Sequence, residues 1–172
     1  MRILIATAGR HGGTQDIGRQ LGVALREGLQ SRGIAAETDV KDAGSVAGIS
    51  DYDAVVIGSA VYMGRWCKSA RRLIDRADPD LGLIPVWLFS SGPVDGGPTP
   101  DSNTKWDNVP WAVAHKTFGG RLVRADLTPM ERTVVRLLRA KDGDARSSPE
   151  IAAWADTICA GLTMRATVAD RS

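Results

Sequence analysis

Three glycines and a threonine stand close together near the start of the chain, after a short apolar run and before an amphipathic segment. Glycine lets the backbone approach a bound group closely, and the N–H groups at the start of a helix attract an anion. A threonine hydroxyl adds another hydrogen-bond donor. This pattern predicts a phosphate-binding loop, which we call the glycine-rich loop, consisting of Gly9, Arg10, His11, Gly12, Gly13 and Thr14.

Two well-known phosphate motifs do not match the glycine-rich loop. A P-loop has lysine directly before its final serine or threonine, whereas Gly13 precedes Thr14 here. A dinucleotide-binding fingerprint needs G-x-G-x-x-G, a spacing that these glycines do not have. The loop therefore indicates phosphate without identifying its carrier, and a tight turn that binds nothing is the alternative.

Two later segments combine small residues with aromatic or hydroxyl side chains after apolar runs. Such a combination suits a flat ring system, because small residues allow close contact and backbone groups can meet the polar edge of the ring. The alternative is that the aromatic side chains, including Trp66, only cover the hydrophobic core. The predicted ring-binding residues are Ser59, Ala60, Val61, Tyr62, Met63 and Gly64 in one segment and Ser90, Ser91 and Gly92 in the other.

The elements that must position these residues follow from hydrophobic periodicity. Apolar runs alternate with amphipathic segments, which predicts an α/β fold with a doubly wound five-stranded parallel sheet and helices on both faces. Ligands of such sheets bind outside the carboxyl ends of the strands, so the segments after strands one, three and four are expected to meet. The predicted strands cover residues 3–6, 34–38, 54–58, 83–90 and 116–123, and the predicted helices cover residues 15–31, 67–76, 129–140 and 149–162.

Apolar spacing also predicts the buried helix faces and the extent of the domain. Gly33 is expected to end the first helix as a left-handed cap. We expect one domain over residues 1–165, a flexible tail over residues 166–172, and a functional role for the irregular residues 92–110. The residues predicted to point inward are Ile17, Leu21, Leu25 and Leu29, then Ala70, Leu73, Ile74 and Ala77, and finally Ile151, Trp154, Ala155 and Ile158.

The composition is that of a folded cytoplasmic protein. Hydrophobic residues make up 43% and charged residues 24% of the 172 residues, which argues against disorder. A net charge of +2 is too small for a dedicated nucleic-acid binder, and no apolar run approaches the length of a membrane span. Cys67 and Cys159 fit no metal-ligand spacing and indicate reduced thiols. We expect Cys67 to be buried against Trp66 rather than activated by the helix that it begins.

Three segments of the chain resemble a known family. They are the glycine-rich loop, the segment Val56-Ile57-Gly58-Ser59-Ala60-Val61-Tyr62-Met63-Gly64, which is the most specific, and Phe118-Gly119-Gly120-Arg121-Leu122. Together they resemble flavodoxin-domain proteins, and in particular the branch that contains menaquinone-dependent protoporphyrinogen oxidase. The likeness covers nearly the whole chain.

The resemblance implies a flavodoxin-like fold and one FMN that is bound non-covalently. It places the glycine-rich loop at the FMN phosphate and the two ring-binding segments beside the isoalloxazine. The implied function is that of an electron carrier or an FMN-dependent oxidoreductase, whose partner is a redox protein or a quinone. Two alternatives stay open, a menaquinone-dependent protoporphyrinogen oxidase and an interaction module that binds no flavin.

The chain departs from the flavodoxin pattern at three points. Flavodoxins often have a hydroxyl residue where Gly9 stands, and they are usually strongly acidic, whereas this chain has a net charge of +2. No aromatic residue occurs between Ser90 and Pro100 to stack on the outer face of the ring, so Trp106 or Trp111 is the candidate for that place. These departures argue more strongly against a shuttle flavodoxin than against an FMN protein.

Charged side chains in the predicted site suggest how it would treat a flavin. Arg10 and Arg65 lie in the segments expected to contact FMN, and a cation near the reduced ring stabilises its negative charge. We therefore hypothesise a flavin biased towards two-electron reduction. His11 is interpreted as a phosphate donor or a surface residue, and His115 has no assigned role. The basic, amphipathic residues 129–140 are expected to pack on the sheet rather than to contact an anionic membrane.

Overall fold

The central sheet is built largely from the apolar runs of the sequence. The computed structural model describes residues 1–62, 64–92, 109–119, 121–122, 143–144 and 147–169, and the structural statements below concern these residues. The strands of the sheet are β1 (Arg2–Ala8), β2 (Glu37–Asp42), β3 (Ala54–Tyr62), β4 (Arg65–Trp66), β5 (Val86–Ser91) and β6 (Ala112–Phe118). Five of them are parallel in the order β2-β1-β3-β5-β6, and β4 turns back antiparallel on the end of β3. A separate antiparallel pair consists of β7 (Arg121–Leu122) and β8 (Gly143–Asp144).

Helices cover both faces of the sheet, as the sequence predicted. The helices are α1 (Gly13–Gln30), α2 (Lys68–Ala77) and α3 (Ser148–Ala169), and a 3-10 turn follows α2 at Asp78–Asp80. α1 and α3 pack together on one face, and α2 covers the other. All the residues predicted to point inward from these helices are buried. The α/β fold with a doubly wound parallel sheet is therefore confirmed.

Alternate residues of β1 enter two separate cores. Ile3 and Ile5 pack with α1 and α3, while Leu4 and Ala6 pack on the side of α2. On the first side, an aromatic cluster fastens α3 to the sheet. The rings of Phe89, Phe118 and Trp154 meet edge to face with centroid separations of 5.8, 6.2 and 5.5 Å.

Two strands are displaced from their predicted positions. β2 begins at Glu37 rather than at residue 34, because the Ile34 N–H completes the end of α1 by donating to Leu29 O at 2.9 Å. Gly33 has a φ of +77° there, which confirms the predicted left-handed cap. β6 ends at Phe118 rather than at residue 123, since the last partner that β5 offers is Ser91.

β3 and the last helix are longer than predicted, and β5 covers residues 86–91 instead of the predicted 83–90. Residues 59–62 and 91, which were predicted to follow the strands, continue β3 and β5 as paired strand residues. The predicted domain boundary at residue 165 falls inside α3. The predicted helix over residues 129–140 lies outside the described residues. Of the helices that are described, none has both the length and the apolar character needed to cross a membrane.

Gly58 leaves room for the Phe89 ring, which extends over it from β5. A Cβ atom at this position would lie 2.0 Å from the Phe89 ring, which is buried in the core. The ring belongs to the aromatic cluster, so it cannot move aside without disturbing α3. Any side chain at position 58 must therefore distort the centre of the sheet.

We predict that Gly58→Ala lowers the free energy of unfolding by about 1–3 kcal/mol, because the added methyl group overlaps the Phe89 ring. Urea unfolding followed by tryptophan fluorescence measures this change. Gly48→Ala is the matched control, since no atom of the described residues lies within 4 Å of a Cβ there. Equal stability of the two variants would contradict the steric argument.

Candidate functional site

The carboxyl ends of β1, β3 and β5 bring the predicted site segments to one edge of the sheet. Ala8 is aligned with Ser59, and Ser59 is aligned with Ser90. The chain leaves β1 for the glycine-rich loop at this level, and β3 continues there into the turn that leads to β4. The expectation that these three segments meet is therefore confirmed by the strand register.

The glycine-rich loop enters α1 through a left-handed residue. Gly12 is the N-cap of α1 with a φ of +76°, and no atom of the described residues lies within 4 Å of a Cβ built on it. Its carbonyl accepts the Asp16 N–H at 2.9 Å. The N–H groups before Asp16 in the first turn have no earlier carbonyl within the helix, so this turn offers donors to an anion.

Gly9 is held closely against the start of α1. A Cβ at this position would lie 2.7 Å from Thr14 Oγ1, and the Gly9 carbonyl accepts a hydrogen bond from Gln15 Nε2 at 3.0 Å. Thr14 is buried. The Thr14 hydroxyl therefore lies beside the space that a side chain at position 9 would occupy, which gives a physical reason for glycine at that position.

One acceptor near this loop has no partner. Gln15 Oε1 is buried, and no described residue donates a hydrogen bond to it. It lies 3.3 Å from the ideal Cβ position of Gly9, at the inner side of the loop. A buried acceptor without a donor costs free energy, so this atom is suited to a hydroxyl or amide donor on a bound molecule.

Arg10 connects the glycine-rich loop with the end of β3. Its guanidinium carbon lies 5.5 Å from the centroid of the Tyr62 ring, which is a cation–π distance. Arg10 is exposed and Tyr62 has a relative exposure of 37%. Arg65, which pairs with Tyr62 across the β3–β4 hairpin, is also exposed. Among the described residues, the edge of the site therefore carries two exposed arginines and an accessible aromatic ring.

The Ser59 hydroxyl contributes to the framework of the protein. Its side chain is fully buried, donates to the Ala60 carbonyl at 2.9 Å and accepts the Cys67 N–H at 2.8 Å. Cys67 is the N-cap residue of α2. Ser59 therefore positions the start of α2. Only its backbone groups remain a predicted part of the binding site.

The Ser90 side chain connects β5 with β4 and with β6. Its buried hydroxyl accepts the Trp66 Nε1–H at 2.9 Å and lies 2.9 Å from Nε2 of His115. Since an indole only donates, Ser90 can give its own proton to Nε2 of a neutral imidazole. The Trp66 and His115 rings also meet edge to face at 5.9 Å. His115 had no role in the sequence analysis, because nothing in local spacing shows which residues face each other across neighbouring strands.

The remaining predicted residues lie at the same edge or outside the described part of the chain. Ala60 and Val61 are half-buried, and Ser91 is 7% exposed. Gly92 is tied to β6, where its N–H donates to the Phe118 carbonyl at 2.9 Å. Gly64 has a φ of +72° and follows Met63, which lies outside the described residues.

The structure corrects the expectation for Trp111. This residue directly precedes β6, and its Cβ lies 3.7 Å from the ideal Cβ position of Gly82, which precedes β5. Trp111 is therefore at the amino ends of the parallel strands, opposite the candidate site, and cannot cover a ring bound there. The other candidate, Trp106, lies outside the described residues. Trp66 is only 2% exposed, so it belongs to the hydrophobic core, which was the alternative to a role in ring binding.

Cys67 is a half-buried thiol. Burial raises its pKa above the ordinary value, although the hydrogen bond with Ser59 and the charge of Arg10 act in the opposite direction. Cys67 packs against the core on the α2 side, and both cysteines are free. The expectation of burial is therefore met in part, since Cys67 is half-buried, and the raised pKa agrees with a thiol that the helix does not activate.

We predict that Ser90→Ala lowers the free energy of unfolding by about 1–3 kcal/mol, because the Trp66 Nε1–H loses its acceptor inside the protein. Urea unfolding measures the change, and Trp66 fluorescence reports the altered surroundings of the indole. Ser50→Ala, on an exposed residue, is the control with the same chemical change. A Ser90→Ala protein as stable as this control would show that the hydrogen bonds contribute nothing.

We predict that Cys67 is alkylated by iodoacetamide with a pH midpoint above the ordinary cysteine value of 9.0, since its thiol stays protonated to higher pH. Peptide mass spectrometry at a series of pH values measures the rate. Cys159 is the internal comparison, because it is completely buried and should react more slowly. A midpoint below 9.0 would indicate that the start of α2 activates the thiolate.

Comparison with known proteins identifies a family. A family model described as a flavodoxin domain matches residues 4–148, which is most of the chain. No curated protein matches the chain significantly.

Several solved structures have the same fold. An oxidoreductase from Corynebacterium diphtheriae is 15% identical with a TM-score of 0.57, and the similarity covers 93% of this chain and 96% of that one. A flavodoxin from the domain Archaea is 11% identical with a TM-score of 0.56, covering 94% and 99%. Flavodoxin 2 from Bacillus cereus is 17% identical with a TM-score of 0.51, covering 96% and 99%. At these identities the similarity shows a flavodoxin-like fold.

Proposed function

We propose, because the chain belongs to the flavodoxin domain family, that it binds one FMN and carries electrons through it. The observation that carries this proposal is the shape of the glycine-rich loop at the carboxyl end of β1. Gly12 has a positive φ and open space around it, directly before the N–H groups of the first helical turn. Such a loop and helix start suit a phosphate group.

The loop also accounts for the missing hydroxyl residue at position 9. Flavodoxins often have a hydroxyl there, and in this chain the Thr14 hydroxyl lies 2.7 Å from where the Cβ of residue 9 would be. Thr14 thus places a hydroxyl beside that position from the first turn of α1. The departure at Gly9 is therefore compatible with phosphate binding.

The unpartnered Gln15 Oε1 favours a ligand that carries hydroxyl groups. Most oxygens of a phosphate group accept hydrogen bonds and do not donate them. A phosphate alone would therefore not satisfy a buried acceptor. The ribityl chain of FMN has hydroxyl donors next to its phosphate. One molecule therefore offers both an anion for the helix start and a donor for Gln15.

FMN supplies the redox chemistry when it is bound, and the protein residues hold and orient it. The glycine-rich loop would bind the phosphate, and backbone groups of residues 59–64 and 90–92 would flank the ring. The Ser90 bonds to Trp66 and His115 keep the β3–β4 hairpin fixed against β5 and β6. Arg10 and Arg65 would raise the positive potential beside the ring, which favours its negatively charged reduced form.

The exposed charges at this edge indicate the kind of redox partner. Arg10, Arg65 and Lys68 are all exposed near the carboxyl ends of β1 and β3, and they outnumber Asp42, an exposed acidic residue aligned with Thr7 of β1. Positive side chains around a redox site attract an acidic protein surface over long range and lose that attraction as salt is added. We propose that the redox partner presents an acidic surface, with a quinone as the alternative acceptor.

The test is a fluorescence titration of the purified apoprotein with FMN, together with a visible spectrum before and after dithionite. Saturable binding of one FMN per chain and bleaching by dithionite are the expected results. A protein that stays colourless and leaves FMN fluorescence unchanged would instead support an interaction module. Turnover of protoporphyrinogen with a menaquinone analogue would identify an enzyme in place of a carrier.

We predict that Gly9→Ala weakens FMN binding about tenfold or more, because the new methyl group displaces the Thr14 hydroxyl from the phosphate site. The same fluorescence titration measures the dissociation constant. Gly48→Ala again serves as the control, since it adds the same methyl group in open space. Unchanged FMN affinity in Gly9→Ala would show that the phosphate lies elsewhere.

A further inference from the structure

The contact between Arg10 and Tyr62 places a cation on an aromatic ring at the edge of the proposed flavin site. The guanidinium carbon is 5.5 Å from the ring centroid, and both residues are accessible to solvent. Arg10 belongs to the glycine-rich loop, whereas Tyr62 ends β3 beside the ring-binding segment. The contact therefore joins the proposed phosphate site with the proposed ring site.

We propose that Arg10 makes the site selective for a phosphorylated flavin over the same flavin without its phosphate. This inference rests on the proposed function and concerns its specificity. Without a phosphate, the guanidinium lies over Tyr62 and covers a ring face that a flavin could contact. With a phosphate in the glycine-rich loop, the guanidinium turns to the anion and leaves the ring face accessible.

The relative strengths of the two contacts support this exchange. A cation–π contact between exposed groups is weak, whereas hydrogen bonds between a guanidinium and a phosphate are charge-assisted and stronger. The phosphate of FMN therefore replaces the contact with Tyr62 that Arg10 loses. Riboflavin has the same ring and no phosphate, so it must displace Arg10 without compensation.

Arginine is suited to both positions. Its planar guanidinium stacks on an aromatic face and also binds two phosphate oxygens at once, whereas the lysine ammonium ion is a compact point charge. Lysine at position 10 should therefore keep much of the attraction for phosphate and lose most of the stacking on Tyr62. This difference separates the two roles of Arg10.

The experiment is a titration of apoprotein with FMN and, separately, with riboflavin. For Arg10→Ala, we expect riboflavin to bind about threefold more tightly, and FMN about tenfold more weakly. For Arg10→Lys, we expect the same gain for riboflavin and FMN affinity within about threefold of the wild type. Inorganic phosphate should strengthen riboflavin binding to the wild type and have no such effect on Arg10→Ala.

Arg26→Ala is the matched control. Arg26 is exposed on α1, about 20 Å along the helix from the glycine-rich loop, and its replacement removes the same charge. We expect both affinities to stay unchanged in this variant. Thermal unfolding of all variants checks that each protein is folded.

The outcomes separate this inference from the proposed function. If Arg10→Ala weakens both ligands, or weakens FMN and leaves riboflavin unchanged, Arg10 is a simple binding residue and the inference is overturned while FMN binding stands. If the wild type binds neither ligand, the proposed function fails and the inference fails with it. Opposite changes for FMN and riboflavin support both.

Discussion

The close contact between Gly58 and the Phe89 ring is the constraint on which the candidate site depends. A side chain at position 58 would overlap the ring, so glycine lets the Phe89 ring stay in the core where β3 pairs with β5. That pairing aligns Ser59 with Ser90, and the pairing of β1 with β3 aligns Ala8 with Ser59. The carboxyl ends of three strands therefore reach the same edge, where an α/β sheet of this kind binds its ligands.

Side chains at this edge are divided between two tasks. The hydroxyls of Ser59 and Ser90 are buried and bind other parts of the protein, which fixes the start of α2 and the β3–β4 hairpin. Exposed side chains among the described residues of this edge include Arg10, Tyr62 and Arg65. A rigid inner layer thus supports a small set of accessible groups, and in our proposal those groups determine which flavin binds and which surface the protein approaches.

Sequence alone determined the architecture and the location of the glycine-rich loop. Apolar runs separated by amphipathic segments can bury their side chains only as strands between helices, so the fold class and the inward helix faces were correct. Gly33 was placed correctly because a left-handed cap has a strong residue preference. The glycine-rich loop was found for the same reason, since its glycines and the following helix lie within one short stretch of chain.

Only the tertiary structure decided which distant residues meet. The pairing of Ser90 with Trp66 and His115, the position of Arg10 over Tyr62, and the location of Trp111 at the opposite end of the sheet all depend on strand order and register. These are set by backbone pairing and core packing summed over the whole sheet. Local residue patterns report which face of an element is apolar, but they do not report which neighbour that element will have.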